Sequence, residues 1–139
     1  MKVIAVSHGS FSKGLVESVQ MLVGEQEDLV AYGLYPEQTV QTLTEQLEEE
    51  LKKTPEGEEV LFLTDLFHGS PFNAVVSLMR DYKFHHITGI NLPLAITILL
   101  ERSTTDSVEE LCRKAEESAA ETVMYVNKLF EENEEDEEE

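Results

Sequence analysis

His8 and Asp65 are the residues whose types and placement suit chemistry. The histidine closes an apolar run at the start of the chain, Val3-Ile4-Ala5-Val6-Ser7-His8, and the carboxylate closes a second run, Val60-Leu61-Phe62-Leu63-Thr64-Asp65. A carboxylate that accepts a hydrogen bond from one imidazole nitrogen fixes the tautomer and leaves the other nitrogen unprotonated and nucleophilic. Beyond Asp65 stand Gly69, Ser70 and Pro71. The glycine lets backbone come close, and the serine hydroxyl with the free N–H groups opening a helix makes a place for an anion. These parts suit a histidine that receives a phosphoryl group. Spacing alone also fits a plainer arrangement in which His8 is a loop residue and Asp65 a cap.

The tripeptide His8-Gly9-Ser10 recurs as His68-Gly69-Ser70, each copy following an apolar run. His68, three residues past Asp65, therefore competes with His8 as the nucleophile. His85 and His86 are adjacent in a predicted strand, so they point to opposite faces, which suits structural or surface roles. Other chemistries lack their signatures. The chain has no paired-cysteine or HExxH spacing for zinc, no GxxxxGK[ST] phosphate loop, no GxGxxG fingerprint and no GxSxG elbow. No metal or other cofactor is expected. Without a phosphate loop, a phosphoryl group is expected to arrive on another protein rather than from ATP.

The elements that must position these groups alternate. A strand at Val3–Val6 precedes a helix with Leu15, Val16, Val19, Leu22 and Val23 at helical spacing, Ser12 as its N-cap and Gly24 as its stop. A strand at Leu29–Leu34 precedes a helix from Thr39 to Lys53, ended by Thr54-Pro55-Glu56-Gly57. The third strand is Val60–Thr64, and Ser70-Pro71 predicts a helix with Ser70 as N-cap and proline in its first position. A fourth strand is read over Phe84–Ile90, a short helix from Pro93 to Leu100 and a longer one from Ser107. Thr122–Val126 suits a strand by composition and a continuing helix by position. The pattern predicts a doubly wound α/β fold: a mainly parallel four-stranded sheet in flavodoxin-like order 2-1-3-4, helices on both faces, and a ligand site beyond the carboxyl ends of the strands. In that order the first and third strands are neighbours, which brings His8 and Asp65 to one rim.

Composition narrows the partners. The 139 residues carry 29 acids against 10 bases, a net charge of −19, and eight of the acids lie in the last nine residues. The remaining body still balances at −11. A duplex binder needs a basic stripe to displace counterions, so nucleic acid is not an expected partner. The length suits one domain over 1–130, followed by an acidic tail at 131–139 for which disorder is expected, because it repels itself and lacks apolar residues. Cys112 has no partner for a disulfide and reads as a small buried hydrophobe in a reducing compartment. With no predicted signal peptide or membrane span, a cytoplasmic protein is expected.

The segments VIAVSHGSFSKGL at 3–15, MLVGEQE at 21–27, LFLTDLFHGSPFNA at 61–74 and GINLP at 89–93 together resemble the enzyme IIA component of the mannose/sorbose family of the bacterial sugar phosphotransferase system. The likeness runs from Met1 to about Phe130 and is specific as a combination, whereas either HGS tripeptide alone is weak. It implies that His8 accepts phosphate from the phosphocarrier HPr and passes it to a histidine of the cognate enzyme IIB. It implies that Asp65 holds His8 through Nδ1 and leaves Nε2 to carry phosphate, with Gly69, Ser70 and nearby amides around the phosphoryl group and Gly9, Phe67 and His68 as auxiliary positions. Membrane components IIC and IID would follow indirectly. The resemblance also implies a homodimer in which a C-terminal strand is exchanged, one explanation for the strand-like Val123–Val126.

Two departures stand out. His68 takes a place where many members are expected to have a small residue such as glycine, which opens an auxiliary proton donor or a regulatory site. The acidic tail also stands where a linker to a IIB domain would run, so a IIB on a separate polypeptide is expected. The phosphoryl-donor subunit of the dihydroxyacetone kinase system shares the fold and an N-terminal histidine, but LFHGSPFNA favours the sugar family. A non-catalytic regulator with the same surface is the alternative from another class.

Overall fold

The computed structural model of the protein describes residues 1–138. Four apolar runs form one parallel sheet: β1 (Lys2–His8), β2 (Leu29–Leu34), β3 (Val60–Thr64) and β4 (His85–Thr88). Their order is β2-β1-β3-β4, with Val6 opposite both Tyr32 and Thr64 and His8 opposite Leu34. This is the expected flavodoxin-like α/β arrangement. The helices are α1 (Phe11–Val23), α2 (Val40–Lys53), α3 (Ser70–Leu78), α4 (Leu92–Glu101), α5 (Val108–Ala119) and α6 (Val126–Glu138).

Side-chain alternation along the strands builds two cores. Val3, Leu61 and Leu63 face Leu15 and Val19 of α1, Leu94 and Ile98 of α4 and Leu111 of α5. Ile4, Val6 and Phe62 face Leu43, Leu47 and Leu51 of α2 and Val75 and Leu78 of α3. Full burial of each such side chain is worth about 1.5–3 kcal/mol, so both faces hold the central strands in place. Because β1 connects outward to β2 and the chain then crosses back to β3, strand order reverses between β1 and β3. Their carboxyl ends flank the crevice where such sheets bind ligands.

Caps refine the boundaries. Thr39, Asn91 and Ser107 accept N–H bonds from Thr42, Leu94 and Glu110 and so start α2, α4 and α5. Ser12 is not the N-cap of α1. Gly9, at φ 54°, turns the chain early, and Ser10 takes the cap position. Ser12 lies buried, its N–H donating to Ser7 Oγ at 2.7 Å and its hydroxyl to the Tyr32 carbonyl at 2.7 Å. Ser70 is likewise one residue inside α3, with Gly69 as the cap. The fourth strand is shorter than read, because Gly89 at φ 77° turns away and donates its N–H to the Thr64 carbonyl.

A charged network fastens the opposite end of the sheet. Lys2 pairs with Glu50 of α2, and the Tyr32 hydroxyl donates to the same carboxylate at 2.7 Å. Burial and the Glu50 bond push the Tyr32 phenol up to about 12. Burial alone would raise Glu50, but its bonds to Lys2 and Tyr32 outweigh that and hold the carboxyl below its ordinary value.

The C-terminal region departs from expectation. Residues 123–125 are neither helix nor strand within the chain, and α6 begins at Val126 and runs through the acidic segment to Glu138. The expected boundary at 130 therefore falls inside a helix, and the segment expected to be disordered is helical over 131–138; residue 139 lies outside the described residues. Glutamate has high intrinsic helix propensity, so a run of it can be helical without packing. Val123, Met124, Tyr125, Val126, Leu129 and Phe130 are all exposed.

Candidate functional site

The crevice between β1 and β3 brings His8 and Asp65 together. Asp65 Oδ2 accepts the His8 backbone N–H at 2.9 Å and lies 2.8 Å from His8 Nδ1. A carboxylate oxygen can only accept, so Nδ1 carries the hydrogen, and in the neutral imidazole Nε2 is then the nitrogen with the free lone pair. The His8 side chain is about half exposed, at 49%, whereas that of Asp65 is largely covered, at 14%. Asp65 Oδ1 is buried and has no protein hydrogen-bond partner among the described residues. Among the described residues the carboxylate thus makes its hydrogen bonds to His8 alone.

Nearby backbone fixes this arrangement. The Gly9 N–H donates to the Leu34 carbonyl at 2.8 Å, tying the turn after β1 to the end of β2. Ser7 receives the Ser12 N–H and so caps α1 from within the strand. Beyond the turn, a cleft of about 740 Å³ is lined by His8, Gly9, Tyr35, Gln38, Thr39 and Ser70. Ser70 opens α3, where Pro71 has no N–H and the first-turn amides of Ser70 and Phe72 have no acceptor within the helix. The cleft therefore combines an imidazole, hydroxyls and the positive end of a helix, a setting that favours a tetrahedral anion.

His68 is placed differently. It is exposed, holds φ at 63° and lays its ring against Phe67 at 3.7 Å between centroids, with Phe72 at 5.5 Å. No carboxylate pairs with it among the described residues, so nothing fixes its tautomer as Asp65 fixes that of His8. Phe67 and Leu66 are exposed on the same loop, and Phe11 is exposed at the start of α1. His86 turns inward from β4 to share a 2.8 Å hydrogen bond between Nε2 and Thr64 Oγ1, and burial lowers its pKa to about 4. His85 lies on the other side of the strand, near Glu109 of α5.

Sequence reasoning did not single out Tyr35, Thr39 or Gly33. Tyr35 follows β2 at the same end of the sheet as His8, and Lys13 sits 5.1 Å above its ring. The rule that sites gather at strand carboxyl ends, applied to β2 as well as to β1 and β3, would have found it. Among the described residues no group of three or more His, Cys, Asp or Glu side chains is placed to hold a metal ion, and no helix is long and apolar enough to cross a membrane.

Comparison with known proteins gives one answer. The family model described as "PTS system fructose IIA component" matches residues 2–116. The fructose-specific EIIA component of Bacillus subtilis is 39% identical over 100 residues, covering 71% of this chain and 68% of the relative. The mannose-specific EIIAB component of Escherichia coli is 33% identical over 122 residues, covering 87% of this chain but only 38% of that longer protein. Among solved structures, the phosphotransferase system component EIIA of Streptococcus agalactiae superposes with a TM-score of 0.83 at 28% identity, covering 91% of this chain and 98% of that one. The chain belongs to the mannose/fructose/sorbose family of phosphotransferase-system EIIA components, the phosphocarriers that pass phosphate toward EIIB.

Proposed function

We propose that His8 is the phosphoryl acceptor of this carrier, that phospho-HPr is its donor and that a histidine of a cognate enzyme IIB is its acceptor. The observation that carries the reading is the Asp65 carboxylate on Nδ1 of a half-exposed His8, which leaves Nε2 free at the mouth of a cleft containing Ser70. The Nε2 lone pair attacks phosphorus as the bond from phosphorus to the donor histidine nitrogen breaks, and that nitrogen leaves with the electron pair. The His8 ring gains positive charge while Nδ1 keeps its hydrogen, and Asp65 compensates that charge. The Ser70 hydroxyl and the opening amides of α3 face the phosphoryl oxygens. Transfer onward reverses the same steps. Because one phosphoramidate replaces another, positioning and charge stabilisation make up the catalysis.

Transfer requires brief encounters, for which interfaces below about 1,200 Å² are suited. The exposed Phe11, Leu66 and Phe67 give such an encounter an apolar rim. The lone cysteine and the nature of the partners support a cytoplasmic setting, with membrane components IIC and IID reached only through IIB. The open outer edge of β4 and the exposed segment 123–126 support a homodimer in which that segment pairs with the partner's sheet. Light scattering tests this: a dimer that becomes a monomer on truncation after residue 122 is expected, and a monomeric full chain overturns it.

Incubation with enzyme I, HPr and phosphoenolpyruvate tests the central reading. Acid-labile phosphate on His8, dischargeable by a IIB acceptor, is expected. An unlabelled wild-type chain would remove the carrier role and leave a non-catalytic regulator as the alternative.

A further inference from the structure

Gly69 has no conformational reason to be glycine. Its backbone, φ −75° and ψ 167°, is an extended conformation open to any residue. What a side chain there would strike is the His8 ring: a Cβ on Gly69 would stand 2.8 Å from His8 Cε1 and 3.5 Å from Nε2, with the Leu66 carbonyl oxygen at 3.3 Å. Carbon atoms pack best at about 3.5–4.0 Å, so the ring would have to move. Any such movement would strain the hydrogen bond that the adjoining Nδ1 makes to Asp65.

Gly33 on β2 stands in the same relation to the backbone. A Cβ there would lie 2.1 Å from the Gly9 carbonyl oxygen, directly after the catalytic histidine. The turn cannot shift away without breaking the bond from the Gly9 N–H to the Leu34 carbonyl.

We propose that Gly69 is a positioning residue for His8: its missing side chain is the space the imidazole occupies beside Cε1, so that the Asp65 bond to Nδ1 and the close approach of Gly69 together fix the ring with Nε2 presented to the cleft. Gly33 clears the matching space for the His8–Gly9 backbone. This deepens the carrier reading and rests on it for function, while its geometric content stands by itself.

Gly69→Ala separates the two. In the unphosphorylated protein, nitrogen NMR of the His8 imidazole should show the Nδ1–H form in wild type and a loss of that single form in the variant. Gly69→Ala should lower the melting temperature of the wild type by clearly more than it lowers that of His8→Ala, because with the ring gone only the Leu66 carbonyl contact and the change of α3 cap remain. Should the single variant fail to fold, recovery of folding in the double variant supports the same conclusion. Transfer from phospho-HPr should drop by about 10–100-fold, the order expected for a small misplacement of a reacting group. Unchanged His8 ring signals, or a melting penalty equally large without the His8 ring, overturn the proposal. An unlabelled wild type would remove the carrier reading and leave the ring and melting measurements to decide the positioning.

Discussion

Asp65 meets His8 twice through one oxygen: Oδ2 takes both the backbone N–H and the ring Nδ1, at 2.9 and 2.8 Å. The backbone bond fixes where the carboxylate sits, and the ring bond fixes which nitrogen is free. Removing the charge while keeping the shape should therefore impair transfer more than folding. In Asp65→Asn the ring loses a charge-assisted partner worth about 1.5–3 kcal/mol, so transfer from phospho-HPr should slow by roughly 10–100-fold. Asp65→Ala should slow it at least as much. A circular dichroism melt should show both variants folded, and collapse of the fold would make Asp65 a structural residue instead.

The two HGS tripeptides are alike in letters and unlike in surroundings. His8 ends a buried strand and carries a carboxylate on Nδ1, while His68 lies on an exposed loop against Phe67. His8→Ala should abolish phosphoenolpyruvate-dependent labelling, and His68→Ala should keep most of it. The reverse pattern, read by acid-labile phosphate after full incubation, would move the acceptor to His68.

His86 links pH to stability with a definite sign. Burial lowers its pKa from 6.5 to about 4, so it folds in neutral while the unfolded chain binds a proton more readily. Between these values the unfolded state holds more protons, and stability falls as pH falls. Allowing for partial exposure of the ring, the loss between about pH 7 and pH 5 should be on the order of 1 kcal/mol. His86→Gln, which cannot take up that charge and can still bond to Thr64, should show a smaller loss. Urea unfolding of both proteins at the two pH values measures the difference, and equal losses would exonerate His86.

Much of the site could be read from the chain because its parts lie at strand ends. Two apolar runs ending in His8 and Asp65, together with alternating strands and helices, suffice to place the pair at the reversal of strand order. Tyr35 follows from the same rule once it is applied to the end of β2, but Gly33 is not legible in that way. Gly33 matters because the Gly9 carbonyl passes across it, a close approach between neighbouring strands that no periodicity encodes. Ser12 looked like a cap because serine before an apolar helix usually is one; a left-handed Gly9 moved the helix start and left Ser12 to bond β2 instead. The acidic tail calls for a different argument. Charge argues against packing, which the exposed side chains of residues 126–134 respect, but it does not forbid an unpacked helix.

The same charge bears on how a donor finds His8. Eight acids lie in residues 131–139, and the rest of the chain still balances at −11. A partner with basic residues around its own histidine would be drawn to the acidic body, which raises the encounter rate at low salt. Raising ionic strength from about 0.01 M to about 0.1 M shortens the Debye length from about 30 Å to about 10 Å, so attraction between the bodies should be largely screened. Stopped-flow transfer from phospho-HPr should accordingly slow several-fold in kcat/KM over that range with little change in kcat. Truncation after Phe130 should leave most of this salt dependence, because the body charge remains. A rate indifferent to salt would mean that the body charge does not steer the donor, and a salt dependence lost with the truncation would assign the steering to the acidic end of α6.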